Sequence, residues 1–504
     1  MQQQIKKILI VGGGSAGWMS AALFARLFNG LYEITLVESE EIGTIGVGEA
    51  TIPAIKKYNE LLGIDEDEFL RETKGSFKLG IQFVDWWRKG ESYIHGFGVI
   101  GQDLGWLRCH HYWLRMKELG RAPDFASLSI NTAACAPNKF MRARPDMKDS
   151  PLAHIAHAFH FDAGLYARYL RRYAEARGVE RVEGRIGKVN LRSDDGYVKS
   201  VSLVDGREIE ADFFIDCSGF RGLVIEQALM TGYEDWTHWL PCDRALAVPC
   251  ARSENFTPYT RSTAHSAGWQ WRIPLQHRTG NGHVFSGRFM DEEEAERILL
   301  SNLDGQQLAE PNRIRFVTGK RRKLWNRNCV AIGLASGFLE PLESTSLHLI
   351  QSAATRLVRL MPDAGNEEAN RAEFNRQADF EYERIRDFII LHYKATARDD
   401  SPFWNHCRTM EVPDTLRRKM ELFAANGRIF REDEELFAEE SWIQVLLGQG
   451  VIPKSPDPLV RVQPDGEIER YLSNIATVVA KCVAVMPGHD AYLERIVAAG
   501  TRPS

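Results

Sequence analysis

The most informative absences in this 504-residue sequence concern membranes and nucleic acids. No segment approaches the roughly 20 consecutive apolar residues that a membrane-spanning helix needs. The N-terminal stretch ILIVGGG is too short for the core of a signal peptide and runs straight into a glycine turn. The net charge is −5, and neither a basic stripe nor a basic amphipathic helix is present. We therefore expect no binding to nucleic acid or to a membrane.

Cysteine is scarce and scattered. The eight cysteines form no CxxC pair, so neither a metal site nor a disulfide framework is indicated. This use of cysteine indicates a reducing, cytoplasmic setting. What the sequence does have is the composition of a soluble globular protein, with 44% hydrophobic and 26% charged residues, and a length that predicts two or three subdomains.

The N-terminal sequence predicts a strand–helix–strand unit. KKILIV and YEITLVES indicate buried strands on either side of an apolar helical run that starts near Trp18. The turn before this helix contains the fingerprint residues Gly12, Gly14, Ser15, Ala16 and Gly17. Glu38 ends the second strand about 20 residues later, where a carboxylate can bind ribose hydroxyls.

The glycine turn favours a dinucleotide, because it lets the backbone approach a pyrophosphate at the positive end of a helix. An ordinary tight turn has similar glycines, but the strand–turn–helix–strand–acid context favours the functional interpretation. NAD and FAD both fit this unit. The segments FIDCSG at 214–219 and IGLASG at 332–337 favour FAD, because they are similar to parts of large FAD-dependent aromatic hydroxylases. Leu334 stands where those hydroxylases usually carry Asp.

Further patterns predict a mixed α/β protein. SFKLGIQFVDW alternates as one strand, with Lys78 on the face opposite to Phe77, Leu79, Ile81 and Phe83. Helices are expected at about 52–72, at 343–361 and through most of the chain beyond 365, irregular structure over 91–150, and β-structure over 240–320.

Five motifs together resemble the flavin-dependent halogenases of the tryptophan and indole halogenase family. They are the glycine fingerprint, GVGEATIP at 46–53, FKLG around Lys78, GWQWRIP at 268–274 and FLEPLESTS at 338–346. The resemblance implies an enzyme that uses FAD as FADH2, O2 and chloride or bromide, with a separate flavin reductase as partner. It implies that hypohalous acid forms and halogenates an electron-rich aromatic molecule.

The resemblance also implies a fold and a division of the chain. We expect an α/β (mixed α+β) protein with a Rossmann-type FAD-binding domain of the aromatic hydroxylase kind, a β-rich substrate region and a helical C-terminal subdomain. The expected divisions are 1–90 with 151–240 and 311–365 for FAD, 91–150 with 241–310 for substrate, and 366–504 for the helical subdomain. Flavin contacts are further expected from Val47, Gly48, Ala50, Ile186, Leu334 and Leu347.

The resemblance assigns the chemistry to a few side chains. Lys78 corresponds to the lysine that captures or hydrogen-bonds the oxidant, and a partly desolvated lysine is the better nucleophile. Glu343 would stabilise the cationic ring intermediate and accept its proton. Thr345 and Ser346 would bind the halide at a helix N-terminus, although relatives usually have Gly at the position of Ser346. Each of these residues also has a purely structural interpretation. Lys78 could be a solvent-facing lysine, Glu343 a carboxylate stabilised by the helix dipole, and Ser344 or Thr345 an N-cap.

Aromatic residues define the expected substrate region. Trp269 and Trp271 share a strand face and would shape the passage between flavin and substrate, although such residues more often belong to a core. His95 and Phe97 match positions where relatives sandwich the aromatic substrate, and loop packing is the alternative. Ser441-Trp442 stands where relatives that halogenate free tryptophan carry a tyrosine pair. This difference favours indole, an indole derivative or a larger aromatic partner.

Two other functions are compatible with a flavin fold. The first is a single-component aromatic hydroxylase that reduces its own FAD with NAD(P)H. The tryptophan pair and Lys78 argue against this function. The second is a non-catalytic flavin- or metabolite-binding protein. The presence of both Lys78 and Glu343 argues against it.

Overall fold

The structure, a computed structural model, describes residues 5–41, 48–362 and 367–499. The α-helices are α1 (Ser15–Phe28), α2 (Ala54–Leu62), α3 (Glu66–Glu72), α4 (Cys109–Glu118), α5 (Ile130–Cys135), α6 (Ala163–Glu175), α7 (Glu292–Ser301), α8 (Ser346–Leu360), α9 (Glu367–Lys394), α10 (Pro402–Thr409), α11 (Asp414–Asn426), α12 (Glu439–Gly448), α13 (Asp465–Val485) and α14 (His489–Ala499). The strands are β1 (Lys7–Val11), β2 (Glu33–Glu38), β3 (Gly48–Ala50), β4 (Ser76–Lys78), β5 (Gly80–Val84), β6 (Ser92–Gly96), β7 (Ala158–Asp162), β8 (Glu180–Glu183), β9 (Ile186–Leu191), β10 (Val198–Leu203), β11 (Glu208–Glu210), β12 (Phe213–Asp216), β13 (Tyr233–Asp235), β14 (Arg244–Cys250), β15 (Thr260–His265), β16 (Gly268–Pro274), β17 (Thr279–Phe285), β18 (Asn312–Arg315), β19 (Gly319–Arg321), β20 (Trp325–Asn326), β21 (Cys329–Ala331) and β22 (Gly337–Phe338).

These elements form two compact units, and the expected mixed α/β fold class is confirmed. The first unit comprises residues 1–75, 161–243 and 314–383, and the second comprises 76–160, 244–313 and 384–504. The three expected domains were defined by their roles in binding FAD and substrate. This three-domain division stays a prediction. No helix in the described ranges is long and apolar enough to span a bilayer.

The first unit is built on a six-stranded sheet in the order β20-β21-β12-β1-β2-β8. Strand β1 pairs in parallel with β2 and with β12, so the carboxyl ends of all three strands lie at the same edge. Residues 8–11 of β1 are at most 1% exposed, as expected for a parallel strand covered on both faces. The expected strand–helix–strand unit is confirmed, with α1 starting at Ser15, three residues before the expected Trp18.

The second unit contains the strands β14-β17-β16-β15-β5-β6 of a seven-stranded sheet. Every residue of β16 and of β17 is buried, so both faces of these central strands are covered. Strand β15 pairs in parallel with β5, and the other neighbours in this series pair antiparallel.

The expected single strand over SFKLGIQFVDW is wrong. It divides at Leu79 into β4, which pairs with β7, and β5, which pairs with β15. Leu79 leaves the ladder because its N–H donates to the Pro258 carbonyl at 2.7 Å. The helix expected over 52–72 is likewise divided at Gly63, whose φ of 70° ends α2. Residues 91–150, expected to be irregular, contain β6, α4 and α5.

Four histidines of the second unit are held neutral by the fold. Burial is the main cause that lowers the pKa of His110 and His283 to about 3 and that of His111 and His489 to about 4. An unfolded histidine has a pKa of about 6.5. Between these values the unfolded chain binds protons that the native chain does not, so the free energy of unfolding falls as the pH falls from 6.5 towards 4.

We expect the free energy of unfolding to be lower at pH 5 than at pH 7. Each histidine that is neutral only in the native state contributes a slope of about 1.4 kcal/mol per pH unit below its unfolded pKa. Urea unfolding at the two pH values measures the difference, and the variant His283→Gln should show a smaller one. Equal free energies of unfolding at pH 5 and pH 7 would contradict this account.

Candidate active site

The glycines of the fingerprint turn are required for different reasons. Gly12 has a φ of 109°, and a Cβ on it would lie 2.4 Å from the Cys217 carbonyl oxygen. A Cβ on Gly17 would lie 1.8 Å from the Gly12 oxygen, so this glycine lets α1 pack on the turn. A Cβ on Gly14 would meet nothing within 4 Å. The open side of the turn is therefore at Gly14, the N-cap of α1, where no side chain caps the helix amides. This arrangement fits a pyrophosphate.

The carboxylate of Glu38 is fixed beside this turn. It accepts a hydrogen bond from Trp18 Nε1 at 3.2 Å and one from Arg181 Nε. A Cβ on Gly13 would lie 1.6 Å from Glu38 Oε2, so Gly13 has to be glycine for the carboxylate to take this position. Gly13 and Arg181 were not singled out from the sequence. The second glycine of VGGGSAG was a visible signal for Gly13, whereas nothing local pointed to Arg181.

The later flavin segments belong to the same unit. Gly333 has a φ of 71°, and a Cβ on it would lie 2.7 Å from the Ala16 Cβ, so the IGLASG turn lies directly on the start of α1. The structure places the other expected flavin residues in this unit as well: Gly48 and Ala50 in β3, Ile186 at the start of β9, Leu334 in a 3-10 turn and Leu347 in α8. Val47 lies outside the described residues. The assignment of these contacts to FAD stays a prediction.

Glu49, between Gly48 and Ala50, was not selected from the sequence. Burial raises the pKa of its carboxyl to about 7. Perturbed carboxyl groups of this kind are concentrated at functional sites. Glu49 is therefore an additional candidate in the flavin segment.

The expected helix over 343–361 begins later than its sequence indicated. Glu343 lies in a 3-10 turn, Pro341–Glu343, and not in the first turn of α8. Ser344 has a φ of 59°, a left-handed conformation that interrupts the helix, and α8 begins at Ser346. The assignment of Glu343 to the helix dipole is thus wrong, because this residue precedes the N-cap.

Thr345 is the N-cap of α8, but it does not cap the helix with its side chain. The residue is fully buried, and its Oγ1 has no hydrogen-bond partner among the described residues. Ser346, half-buried, follows it, and the first turn of α8 contains no acidic side chain. A buried hydroxyl without a partner beside unpaired helix amides is an arrangement that an anion would complete.

Lys78 is fully buried in β4 of the second unit, so the solvent-facing alternative is wrong. Its Nζ lies 5.4 Å from the centre of the Phe97 ring. The neighbouring Ser76 Oγ donates to the Pro274 carbonyl at 2.6 Å and contacts His160 Nδ1 at 3.1 Å. Burial, followed by the charge of Lys78, lowers the pKa of His160 well below its ordinary value, so this histidine is neutral.

Trp271, the second tryptophan of GWQWRIP, is accommodated by small residues on the next strands. In the pairing register, Trp271 lies opposite Gly282 of β17 and Ser262 of β15. A Cβ on Gly282 would lie 2.0 Å from the Trp271 ring, so the glycine makes room for the indole. The ring centres of Trp269 and Trp271 are 6.1 Å apart, and Trp271 Nε1 has no hydrogen-bond partner within the described part of the chain. The final Pro274 ends the strand and presents the carbonyl that Ser76 binds.

His95 and Trp442 belong to one aromatic cluster with two phenylalanines that the sequence did not reveal. The ring of Phe388 is stacked on Phe437 at 3.9 Å between centres. His95 lies 5.7 Å from Phe388, and Trp442 meets the same ring edge-on at 4.9 Å. Phe388 was hidden in an ordinary apolar run of α9. The structure thus brings His95 and Trp442 together, while Phe97 lies beside Lys78.

Trp442 has two further features. It is 1% exposed, and its Nε1 finds no acceptor among the residues with described positions. The buried Lys419 Nζ lies 4.7 Å from the indole ring and forms an ion pair with Glu435 at 2.7 Å. A buried donor without an acceptor is uncommon, since it forfeits the hydrogen bond that water would provide. No metal-ligand cluster occurs within residues 5–41, 48–362 and 367–499.

Comparisons with known proteins identify the class. The family model for tryptophan halogenase matches residues 7–465. Tryptophan 7-halogenase RebH of Lentzea aerocolonigenes is 34% identical over 501 residues, which span 92% of this chain and 93% of that protein. The structure of Xcc4156, a flavin-dependent halogenase from Xanthomonas campestris, has a TM-score of 0.94 and 45% identity, covering 98% of this chain and 99% of that one. BrvH, a flavin-dependent halogenase from Brevundimonas sp. BAL3, has a TM-score of 0.94 and 46% identity with the same coverage.

The fold and these matches define a flavin-dependent halogenase. The chain belongs to the tryptophan halogenase family, as its motifs predicted. It is an enzyme whose chemistry involves FAD and a halide. None of these comparisons supports the aromatic hydroxylase or the non-catalytic alternative.

We expect Gly14→Val to reduce FAD affinity by on the order of 10-fold or more, about 1.4 kcal/mol, because its side chain would enter the space reserved for the pyrophosphate. The variant should remain folded, since a Cβ at this position meets no protein atom within 4 Å. Titration calorimetry with FAD and thermal unfolding without FAD separate the two effects. Gly17→Val is the control and should lose stability, and unchanged FAD affinity in Gly14→Val would refute the placement.

Proposed function

We propose that this enzyme uses FADH2, O2 and chloride or bromide to halogenate indole or an indole derivative. The observation that carries the proposal is Lys78, a fully buried lysine held beside the Phe97 ring in a unit that also contains the tryptophan pair. Because the Lys78 amine is out of contact with bulk water, an oxidant bound to it would be shielded from water as well.

The halide is the first ligand to place. Thr345 Oγ1 and the backbone amides at the start of α8 would bind it, because they are buried donors at the positive end of a helix. When bound, reduced FAD supplies with O2 the oxidising equivalent that converts the halide into hypohalous acid. The residues from Gly12 to Gly17 and Glu38 would hold the dinucleotide.

Lys78 would retain the hypohalous acid by covalent capture or by hydrogen bonding. Its burial keeps the oxidant away from bulk water and from side reactions. The aromatic ring then takes up the halogen at one carbon, the ring proton leaves, and hydroxide from the acid combines with a proton as water. Glu343, buried and close to the N-cap of α8 in sequence, would stabilise the cationic ring intermediate and accept its proton.

The proposed substrate follows from Ser441 and Trp442. A tyrosine pair at this place would hold the charged amino acid end of free tryptophan, whereas a serine and a buried indole do not reproduce that clamp. Trp442 is buried and presents an apolar ring where the tyrosine pair would present hydroxyl groups, which suits a neutral aromatic molecule better than a zwitterion. His95 and Phe97 would contact the substrate ring.

The proposed partner is a separate flavin reductase that supplies FADH2. The sequence contains one dinucleotide fingerprint, and we assign it to FAD. All eight cysteines are free thiols, which supports the proposal of a reducing, cytoplasmic setting in which NADH-dependent reductases operate.

The experiment that tests the function is mass spectrometry of indole and tryptophan incubated with enzyme, FAD, a reductase, NADH and bromide. We expect brominated indole, with kcat/KM for indole roughly 10-fold or more above that for tryptophan, because the tryptophan carboxylate would be left without a partner. The double variant Ser441→Tyr/Trp442→Tyr, which introduces the tyrosine pair, should reduce the ratio of kcat/KM for indole to kcat/KM for tryptophan. Greater efficiency on tryptophan, or rapid NADPH oxidation by the enzyme without a reductase, would contradict the proposal.

Lys78 and Glu343 should differ in the step that they affect. Lys78→Met, which conserves volume, should abolish halogenation of the substrate while FADH2 is still oxidised. Glu343→Gln should lower the rate on the order of 100-fold but keep some activity, because water can accept the ring proton. Product analysis and the visible absorbance of FAD follow the two steps.

The matched control is Lys320→Met, which removes another buried lysine from the chain. This variant should halogenate normally once folded. Near wild-type halogenation of the substrate by Lys78→Met would show that the assigned role is wrong.

A further inference from the structure

Gln444 of α12 joins this helix to β6 through one backbone residue. Its Oε1 accepts a hydrogen bond from the Gly96 N–H at 3.0 Å, and its Nε2 donates to the Gly96 carbonyl at 3.0 Å. Gln444 is 6% exposed. A single side-chain amide therefore satisfies both polar backbone groups of Gly96.

The strand register explains why Gly96 needs a partner outside its sheet. Phe97 N–H donates to the Leu79 carbonyl at 2.8 Å, so this N–H points towards the side of β5. Backbone groups alternate in direction along a strand, and those of Gly96 therefore point away from β5. Since β6 is the edge strand of the sheet, no further strand receives them. Gln444 takes the place of that missing neighbour.

Gly96 lies between His95 and Phe97, the two residues expected to contact the substrate ring. A Cβ on Gly96 would lie 2.6 Å from Thr132 Cγ2, so the strand is closely covered at this point and has little room to shift. Phe97 lies beside Lys78 Nζ, and Gln444 is on the same helix as Trp442. The bidentate contact thus fixes the end of β6, between His95 and Phe97, to the helix of Trp442.

We propose that Gln444 is a positioning residue, which by binding Gly96 fixes His95 and Phe97 and thereby sets which ring carbon is halogenated. This inference rests on the proposed halogenation of an indole. Both polar atoms of the Gln444 side chain bind Gly96, so it would act through the backbone between the two aromatic residues. A displacement of about 1 Å at a reacting group is enough to change rates on the order of 100-fold.

The test compares Gln444→Met with wild type. Methionine has a similar length but cannot bind either group of Gly96. We expect indole to bind roughly 10-fold more weakly by calorimetry, KM to rise more than kcat falls, and the ratio of bromoindole isomers to change. Gln444→Glu keeps an acceptor for the Gly96 N–H, so its indole affinity and isomer ratio should lie between those of wild type and Gln444→Met. It is the variant to use if Gln444→Met does not fold.

Gln449→Met is the matched control. Gln449 is a buried glutamine at the end of the same helix, and its amide donates to the His392 carbonyl instead of to β6. It should lose stability without changing the isomer ratio. An unchanged ratio and unchanged indole binding in Gln444→Met, or the same change in Gln449→Met, would overturn the inference. If wild type brominates no indole, the proposed function fails, while the calorimetric comparison still decides the role of Gln444.

Discussion

The burial of the Lys78 side chain is the constraint on which the chemistry of the second unit depends. An amine without contact to water requires surroundings that do not repel it, and the neutral His160 provides them on one side. The short strand β4, which contains Lys78, is held by Ser76, whose hydroxyl donates to the carbonyl of Pro274. The hydrogen bond therefore joins the FKLG and GWQWRIP segments, although Ser76 and Pro274 are 198 positions apart in the sequence.

The first unit depends on close approach of backbone segments. Gly12, Gly17 and Gly333 each stand where a Cβ would collide with a neighbouring segment, whereas the space over Gly14 is free for a ligand. The same distinction applies at α8. Its first turn lacks a side-chain cap, and the buried Thr345 hydroxyl has no partner in the part of the chain that the structure describes. Features that are costly in an isolated fold thus coincide with the expected sites of FAD and halide.

Local patterns predicted the parts of the fold that local forces determine. The strand–helix–strand unit followed from apolar periodicity and glycine spacing, and the family followed from five short motifs. The division of FKLG between two strands could not be predicted, because it results from the contact of Leu79 with the distant Pro258. Likewise, Gln444 and Gly96 are 348 positions apart, and neither residue type signals the pairing. The later start of α8 depends on a left-handed Ser344, a conformation that few serines adopt.

The central claim is that Lys78 retains the halogenating oxidant inside the protein. The most direct measurement supplies a water-soluble trap for hypohalous acid together with substrate, and compares halogenated trap with halogenated substrate per FADH2 oxidised. The account predicts that wild type modifies substrate and spares the trap, whereas Lys78→Met modifies the trap and spares the substrate. The same distribution of halogen in both proteins would contradict it.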